Sequence, residues 1–300
     1  MICLPVTCTM RPRRGVTQPN QFWLAQWASL YAWRSIGNSS YQAAEFTVRH
    51  RSGGLIWDLN YTLSKSIDIG SNAERISSFE GRGFWDQIIN SWSPKQLRSV
   101  SDFDATHQIN SNWVWDLPLG PGKRFGSETG HLGNALLGGW QLSGVFRWST
   151  GFPYSAHTGL AFATNWNYSG FAMLSGKLPR TGKFTDSDGD PNIFPNNAEA
   201  LMAFRFPHPG ESGIRNNLRG QGFFGVDTGV TKTWNLSESQ ALKFSWEIYN
   251  VTNTPRFGFD AVPTGPTGAV GFLDIAGSFG KYTQTLTKPR IMEFGLRYSF

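Results

Sequence analysis

The 300-residue chain is 39% hydrophobic and 15% aromatic, with 13 Trp, 23 Phe and 34 Gly, yet only 16% of its residues are charged. Water-soluble domains carry about a quarter charged residues and a membrane-crossing helix needs roughly 18 consecutive apolar ones. The composition therefore fits neither an ordinary soluble domain nor a helical membrane protein. The formal charge of +6 comes from Lys and Arg scattered among aromatics, not clustered on one face, which argues against nucleic acid as a partner.

The start, MICLPVTCTM, lacks the basic and apolar regions of a secretory signal peptide. Cys3 and Cys8 stand in the first ten residues and give the rest of the chain no disulfide framework. Residues 1–37 form an unassigned, irregular segment, in which Phe22 to Tyr31 is apolar but alternates poorly.

From Tyr41 a two-residue period takes over. Tyr41 to His50 sets Ala44, Phe46 and Val48 against Glu45, Thr47 and Arg49, and Arg51-Ser52-Gly53-Gly54 predicts a turn. Leu55 to Ser64 sets Leu55, Trp57, Leu59, Tyr61 and Leu63 against Asp58, Asn60, Thr62 and Ser64. Gln108 to Leu117 opposes Ile109, Trp113, Trp115 and Leu117 to Gln108, Asn110, Asn112 and Asp116. In Trp140 to Ser149 the apolar side is Trp140, Leu142, Phe146 and Trp148. Gly225 to Trp234 is weaker, with Val226, Val230 and Trp234 on one side; Leu242 to Tyr249 is cleaner, with Leu242, Phe244, Trp246 and Ile248. Arg290 to Phe300 alternates throughout: Met292, Phe294, Leu296, Tyr298 and Phe300 oppose Glu293, Gly295, Arg297 and Ser299.

One alternating strand also describes a half-buried soluble sheet. Seven of them, with Trp and Tyr near strand ends, predict an all-β antiparallel transmembrane barrel segment whose apolar face meets lipid and whose polar face lines a wet lumen. Connection lengths agree. With Phe300 in the periplasm, the turns at 51–54 and 235–239 fall on the periplasmic side and are short, whereas 67–105, 150–222 and 252–289 fall outside and are long. Only 118–137 is longer than an ideal periplasmic turn.

Several segments resemble one family. Asn38 to Ala43, Tyr61 to Asp68, Ser101-Asp102-Phe103-Asp104-Ala105-Thr106-His107, Leu136 to Gly144, Ser149 to Pro153, Asn217 to Phe223, Glu247 to Asn253 and Arg290 to Phe300 are similar to the barrel of TonB-dependent outer-membrane receptors. The nearest branch is the Oar-like group with a carboxypeptidase-regulatory-like domain; the Arg usual before that group's His is Thr106 here. The resemblance covers most of residues 38–300, taken as one barrel portion. It implies localisation in the outer membrane of a Gram-negative type bacterium and energised uptake of an unidentified large or scarce ligand, such as an oligosaccharide, without covalent chemistry. It further implies a 22-stranded barrel around an N-terminal plug, and coupling to TonB through that N-terminal part. Phe294, Leu296, Tyr298 and Phe300 look like the signal read by the barrel-assembly machinery. Seven strands without a recognisable plug or signal lead to the expectation that the chain is the C-terminal part of something longer. The alternative is a small self-contained barrel, adhesin or structural, closed by Phe22 to Tyr31 as an eighth strand.

No cofactor is expected beyond a candidate calcium. Asp186, Asp188 and Asp190 are spaced two apart as oxygen ligands would be, but Asn197 stands where a calcium loop of the EF-hand type has Glu. A solvated acidic turn is the plainer reading. The five histidines, His50, His107, His131, His157 and His208, show no metal-ligand spacing. His107 and Ser111 share one strand face, the minimal start of a lipolytic pair, although no third member can be named. In the longest outer loop, Trp166 and Tyr168 are candidate ligand contacts, able to stack on a sugar or to order the loop on itself. Arg147, Lys243, Glu247 and Arg297 are expected on the lumen wall.

Overall fold

The computed structural model describes residues 35–71, 93–128, 130–158, 171–208, 210–259, 269–273 and 276–300. Seven long strands run up and down in sequence order: β1 (Ser40–Ser52), β2 (Leu55–Asp68), β3 (His107–Asp116), β4 (Trp140–Ser149), β5 (Phe223–Asn235), β6 (Ala241–Tyr249) and β7 (Ile291–Ser299). Every neighbouring pair is antiparallel. All seven segments with a two-residue period are strands.

Register turns the alternation of single strands into faces. One row across the sheet reads Leu55, Trp115, Leu142, Val230, Trp246 and Phe294. A neighbouring row of the other parity reads Asp116, Gln141, Thr231, Ser245 and Gly295. A one-residue slip would exchange these faces, so the apolar pattern itself fixes the pairing. On the polar face, Thr47 donates to Asn60 Oδ1 at 2.9 Å, and Gln141 Nε2 donates to Asp116 Oδ1 at 2.7 Å. The edge strands β1 and β7 are exposed along their whole length. Six successive reversals make these two edges run in the same direction.

Short connections gather at one end. Gly53 and Gly54 alone join β1 to β2, with φ of +60° and +81°; both values lie in the left-handed region that a tight hairpin turn with glycines supplies. Residues 236–240 join β5 to β6, closed by the Leu236 amide donating to the Gln240 carbonyl at 2.9 Å. The third connection at this end, 117–139, is longer because it contains helix α1 (His131–Leu137).

Helix α1 folds back onto the apolar face. The indoles of Trp140 and Trp234 donate to the carbonyls of Leu136 and Ala135, each at 2.8 Å. Lys232 pairs with Trp140 across the ladder and so shares the apolar parity. Its Nζ donates to the Gly138 carbonyl at 2.5 Å and the Leu136 carbonyl at 3.1 Å, and lies 4.8 Å and 5.1 Å from the ring centres of Trp140 and Trp234. Orphan carbonyls at a helix C-terminus and two aromatic faces compensate a cation that stands on the apolar face.

The other end carries the long connections, whose described residues are not structureless. They fold together into a cap with its own core, including Tyr154, Phe194, Phe204, Leu218, Phe279 and Tyr282. Within it, Pro153–His157 pairs with Leu218–Arg219 and Ala269–Phe272 in a small sheet, and helix α2 (Asn197–Met202) is capped by the Asn196 side chain accepting from the Glu199 amide. Most of the fully buried apolar side chains among the described residues lie in this cap. A single sheet with one apolar and one polar face has little interior of its own.

Candidate functional site

The cap is tied to the wall by buried charge. Asp68 ends β2, and Ser101 to Asp104 lies beside it through β2 hydrogen bonds: the Ser101 amide donates to the Ser66 carbonyl at 2.9 Å, and the Ser66 amide donates to Asp104 Oδ1 at 2.7 Å. Into this corner comes Arg215, whose side chain is 3% exposed. Its guanidinium pairs with Asp102 at 3.0 Å and with Asp68, and reaches the Asp68 carbonyl and Ser71 Oγ, both at 3.1 Å. Asn216 donates to the same Asp102 oxygen at 2.5 Å and to the Val100 carbonyl at 2.8 Å. A second pair, Arg219 with Asp104, is fixed by Arg219 donating to the Asp104 and Gly151 carbonyls at 2.7 Å and 3.1 Å. Gly151 is required there, because a Cβ on it would stand 2.0 Å from the Gly220 carbonyl oxygen.

Inside the cap, burial moves ionisable groups. The His157 imidazole, packed 4.9 Å from the Phe171 ring, is pushed down to about 4 by desolvation. Burial likewise raises the Tyr154 and Tyr282 phenols; the Tyr282 hydroxyl donates to the Gly182 carbonyl at 2.6 Å. Nearer the surface, Arg205 grips Glu211 with two bonds of 2.7 Å and 2.9 Å, and the His208 amide adds a third at 2.7 Å. Arg205, then His208, hold the Glu211 carboxyl down at about 2.

The polar face of the wall places like charges opposite each other. Glu247 faces Glu293, and Lys243 faces Arg297, on β6 and β7. Like charges directly opposite destabilise a ladder unless something compensates them. Arg147 is engaged elsewhere, with Asp227 at 3.0 Å, and the Glu247 carboxylate accepts only the Tyr249 hydroxyl, at 2.8 Å, among the described residues.

A family model described as an outer membrane beta barrel domain matches residues 6–293. The chain belongs to that family. No curated protein and no solved structure matches it. In an outer membrane β-barrel the short turns face the periplasm and the long connections face outward. The cap of this outer membrane β-barrel domain is therefore extracellular and α1 is periplasmic.

That orientation places the residues predicted from sequence. Phe294, Leu296, Tyr298 and Phe300 line the lipid side of β7, 68%, 70%, 50% and 93% exposed, and lead to the periplasmic end. Lys243, Glu247, Arg147 and Arg297 share the lumen face, as expected. Asp186 accepts from the amides of Asp188 at 3.1 Å and Asp190 at 2.8 Å, while Lys281 Nζ lies 2.9 Å from Asp190 and 3.7 Å from Asp186. The turn is thus closed on its own backbone with a cation already alongside. Among the described residues no group of three or more Asp, Glu, His or Cys side chains is arranged to hold a metal ion. His107 and Ser111 are each bonded elsewhere, to the Tyr61 hydroxyl at 2.9 Å and the Trp57 indole at 2.8 Å. Trp166, Tyr168 and Phe22 to Tyr31 lie outside the described residues.

Sequence reading singled out Ser101 to His107 and Asn217 to Phe223 as motifs without giving them a role. The structure joins them in the Asp104–Arg219 pair. Arg215 went unmarked, since a lone Arg two residues before Asn217 offers no signal, and Asp68 stood only as the last residue of the Tyr61 to Asp68 segment, with no role.

Proposed function

We propose that the seven strands are the C-terminal barrel portion of a TonB-dependent outer-membrane transporter, which takes up a large or scarce ligand without covalent chemistry. One observation carries this reading: two like-charge pairs, Glu247 with Glu293 and Lys243 with Arg297, share the polar face, with no ion-pair partner among the described residues. An empty water-filled channel could hydrate them; a folded plug bearing complementary charge stabilises them. Two edges running in the same direction also need an odd number of further strands to close an antiparallel barrel, because neighbours must alternate. A second copy related about the membrane normal would meet these edges in parallel and does not meet that need. In this reading an N-terminal plug and the remaining strands supply both requirements, TonB acts through the plug, and the cap holds the determinants of ligand choice.

The test uses the mature protein isolated from outer membranes. Glu293→Cys, on the lumen face, is combined with a short bifunctional cross-linker, and the products are mapped by mass spectrometry. The expected result is a species longer than 300 residues in which the introduced thiol joins a segment of the same chain N-terminal to the barrel strands. A heat-modifiable, protease-resistant species of this length alone would overturn the proposal in favour of the self-contained barrel.

A further inference from the structure

A cleft of about 550 Å³ opens at the extracellular rim of β3, β4 and β5, lined by His107, Trp148, Thr150, Gly151, Arg219 and Arg256 among others. Its position on the wall follows from register. His107 pairs with Leu63, and Trp148 with Ile109 and Phe224, so these two lining residues belong to the apolar, lipid-facing parity, while Ser149 at the end of β4 has the other. The cleft thus lies where the outer leaflet's headgroups meet the barrel, the level at which aromatic girdles and cationic side chains collect.

Its electrostatics are one-sided. Two Arg and one His line it, and no carboxylate does. Arg219 is already neutralised by Asp104. Arg256 is different: its guanidinium carbon sits 5.3 Å over the Phe224 ring, and its Nε is buried without a hydrogen-bond partner among the described residues. The backbone holds it there, through the Arg256 amide donating to Thr287 Oγ1 at 3.0 Å and the Arg256 carbonyl accepting from the Leu286 amide at 2.6 Å. A partly buried guanidinium stacked on an aromatic ring is less hydrated than an ammonium and keeps its planar fork for an oxyanion. His107 is turned toward Tyr61 by its Nδ1 contact at 2.9 Å, which leaves Nε2 as a further polar edge.

We propose that this cleft binds the phosphate of an outer-leaflet lipid headgroup, with Arg256 as the principal donor, His107 beside it, and Trp148 and Phe224 as the apolar floor. The shared chemistry is a phosphate oxyanion; the lipid-facing parity of His107, Trp148 and Phe224 favours a membrane lipid over a free anion. Neither the transport reading nor the plug enters this argument.

The mature protein, purified from outer membranes and exchanged into detergent, is titrated with three probes: a bis-phosphorylated acylated glucosamine disaccharide, the same lipid without phosphates, and inorganic phosphate. Native mass spectrometry reads retained lipid, and thermal unfolding reads stabilisation. The expected result is retention and a raised Tm with the phosphorylated lipid only, with affinity weakened about tenfold or more in Arg256→Gln and only partly recovered in Arg256→Lys, which keeps the charge but loses the stacked planar fork. Arg297→Gln, on the lumen face, should leave retention unchanged. Equal retention of the dephosphorylated lipid, or undiminished binding by Arg256→Gln that has folded normally, would overturn the proposal. Stabilisation by inorganic phosphate equal to that by the phosphorylated lipid would overturn the lipid assignment.

Discussion

Replacing Arg215 by Ala isolates the latch between cap and wall. The substitution strands Asp68 and Asp102, whose side chains are 10% and 3% exposed, without their shared cation. Asp102 keeps Asn216 and Asp68 keeps Ser71 Oγ at 2.8 Å, but two buried carboxylates then face each other. Removing one partner of a buried ion pair costs about 3–5 kcal/mol, or roughly two to three and a half orders of magnitude in a local opening equilibrium. The loss should be local, because no wall-to-wall ladder bond involves Arg215. Hydrogen exchange of the protein in detergent is the assay: amides of residues 93–106 and 210–220 should exchange faster by about that factor, with β3 to β6 unchanged. The triple variant Asp68→Asn, Asp102→Asn, Arg215→Met should recover much of the protection, since uncharged replacements of a buried triad are often near neutral. Unchanged exchange in Arg215→Ala would refute the latch, and uniform loss across the wall would refute its locality.

Acid should loosen the cap before the wall. His157 has a folded-state value of about 4 against about 6.5 unfolded, so the unfolded cap binds the proton first. Its stability is full above about pH 6.5 and falls toward pH 4 by about 3 kcal/mol; His157→Gln should flatten that part of the pH profile of loop proteolysis. Gly151→Ala places a Cβ 2.0 Å from the Gly220 oxygen, and overpacking of this kind costs about 1–3 kcal/mol, measurable as a lowered Tm with the strands intact. Lys232→Ala removes two bonds to helix carbonyls, worth about 1.5–3 kcal/mol each as charged hydrogen bonds. Amides of residues 131–138 should then exchange faster while β4 and β5 hold. Deleting Phe300, 93% exposed at the end of the lipid face, should reduce the yield of heat-modifiable barrel in cells without altering refolding in detergent; an equal loss in both would assign Phe300 to stability and not to assembly.

What the sequence disclosed and what it hid follow one physical division. A wall between lipid and lumen writes its two solvents into every strand with a period of two, so seven strands, their faces and the two short turns were legible from Leu55, Trp57 and their kind alone. The cap has no such period. Its core joins Tyr154 to Phe279 and Tyr282, and its latch joins Arg215 to Asp68 across 147 residues, contacts that leave no local trace. In the acidic turn the spacing is local but the surroundings are not, since Asp186 accepts from the Asp188 and Asp190 amides and Asp190 meets Lys281, 91 residues away. At Lys232 the period is broken by a charge on the apolar face. There the connection at 117–139, too long for a plain turn, supplies the reason, since α1 exists to bring carbonyls to that lysine.

The lumen wall extends this logic to the opposite face. Lys232 shows that the fold satisfies a misplaced charge when a partner lies within reach. Glu247, Glu293, Lys243 and Arg297 are not so satisfied by their ladder neighbours; each faces its own sign. The wall thus compensates one awkward cation with a helix, yet presents four charges in like pairs. In the transport reading proposed above, charge-complementary filling of the lumen is the property on which uptake and the stability of these two strands should both depend. Glu293→Lys, which turns one like pair into an ion pair, would stabilise β6 and β7 in an empty barrel and weaken them in one filled by a basic surface, so the sign of that change in exchange protection separates the two states.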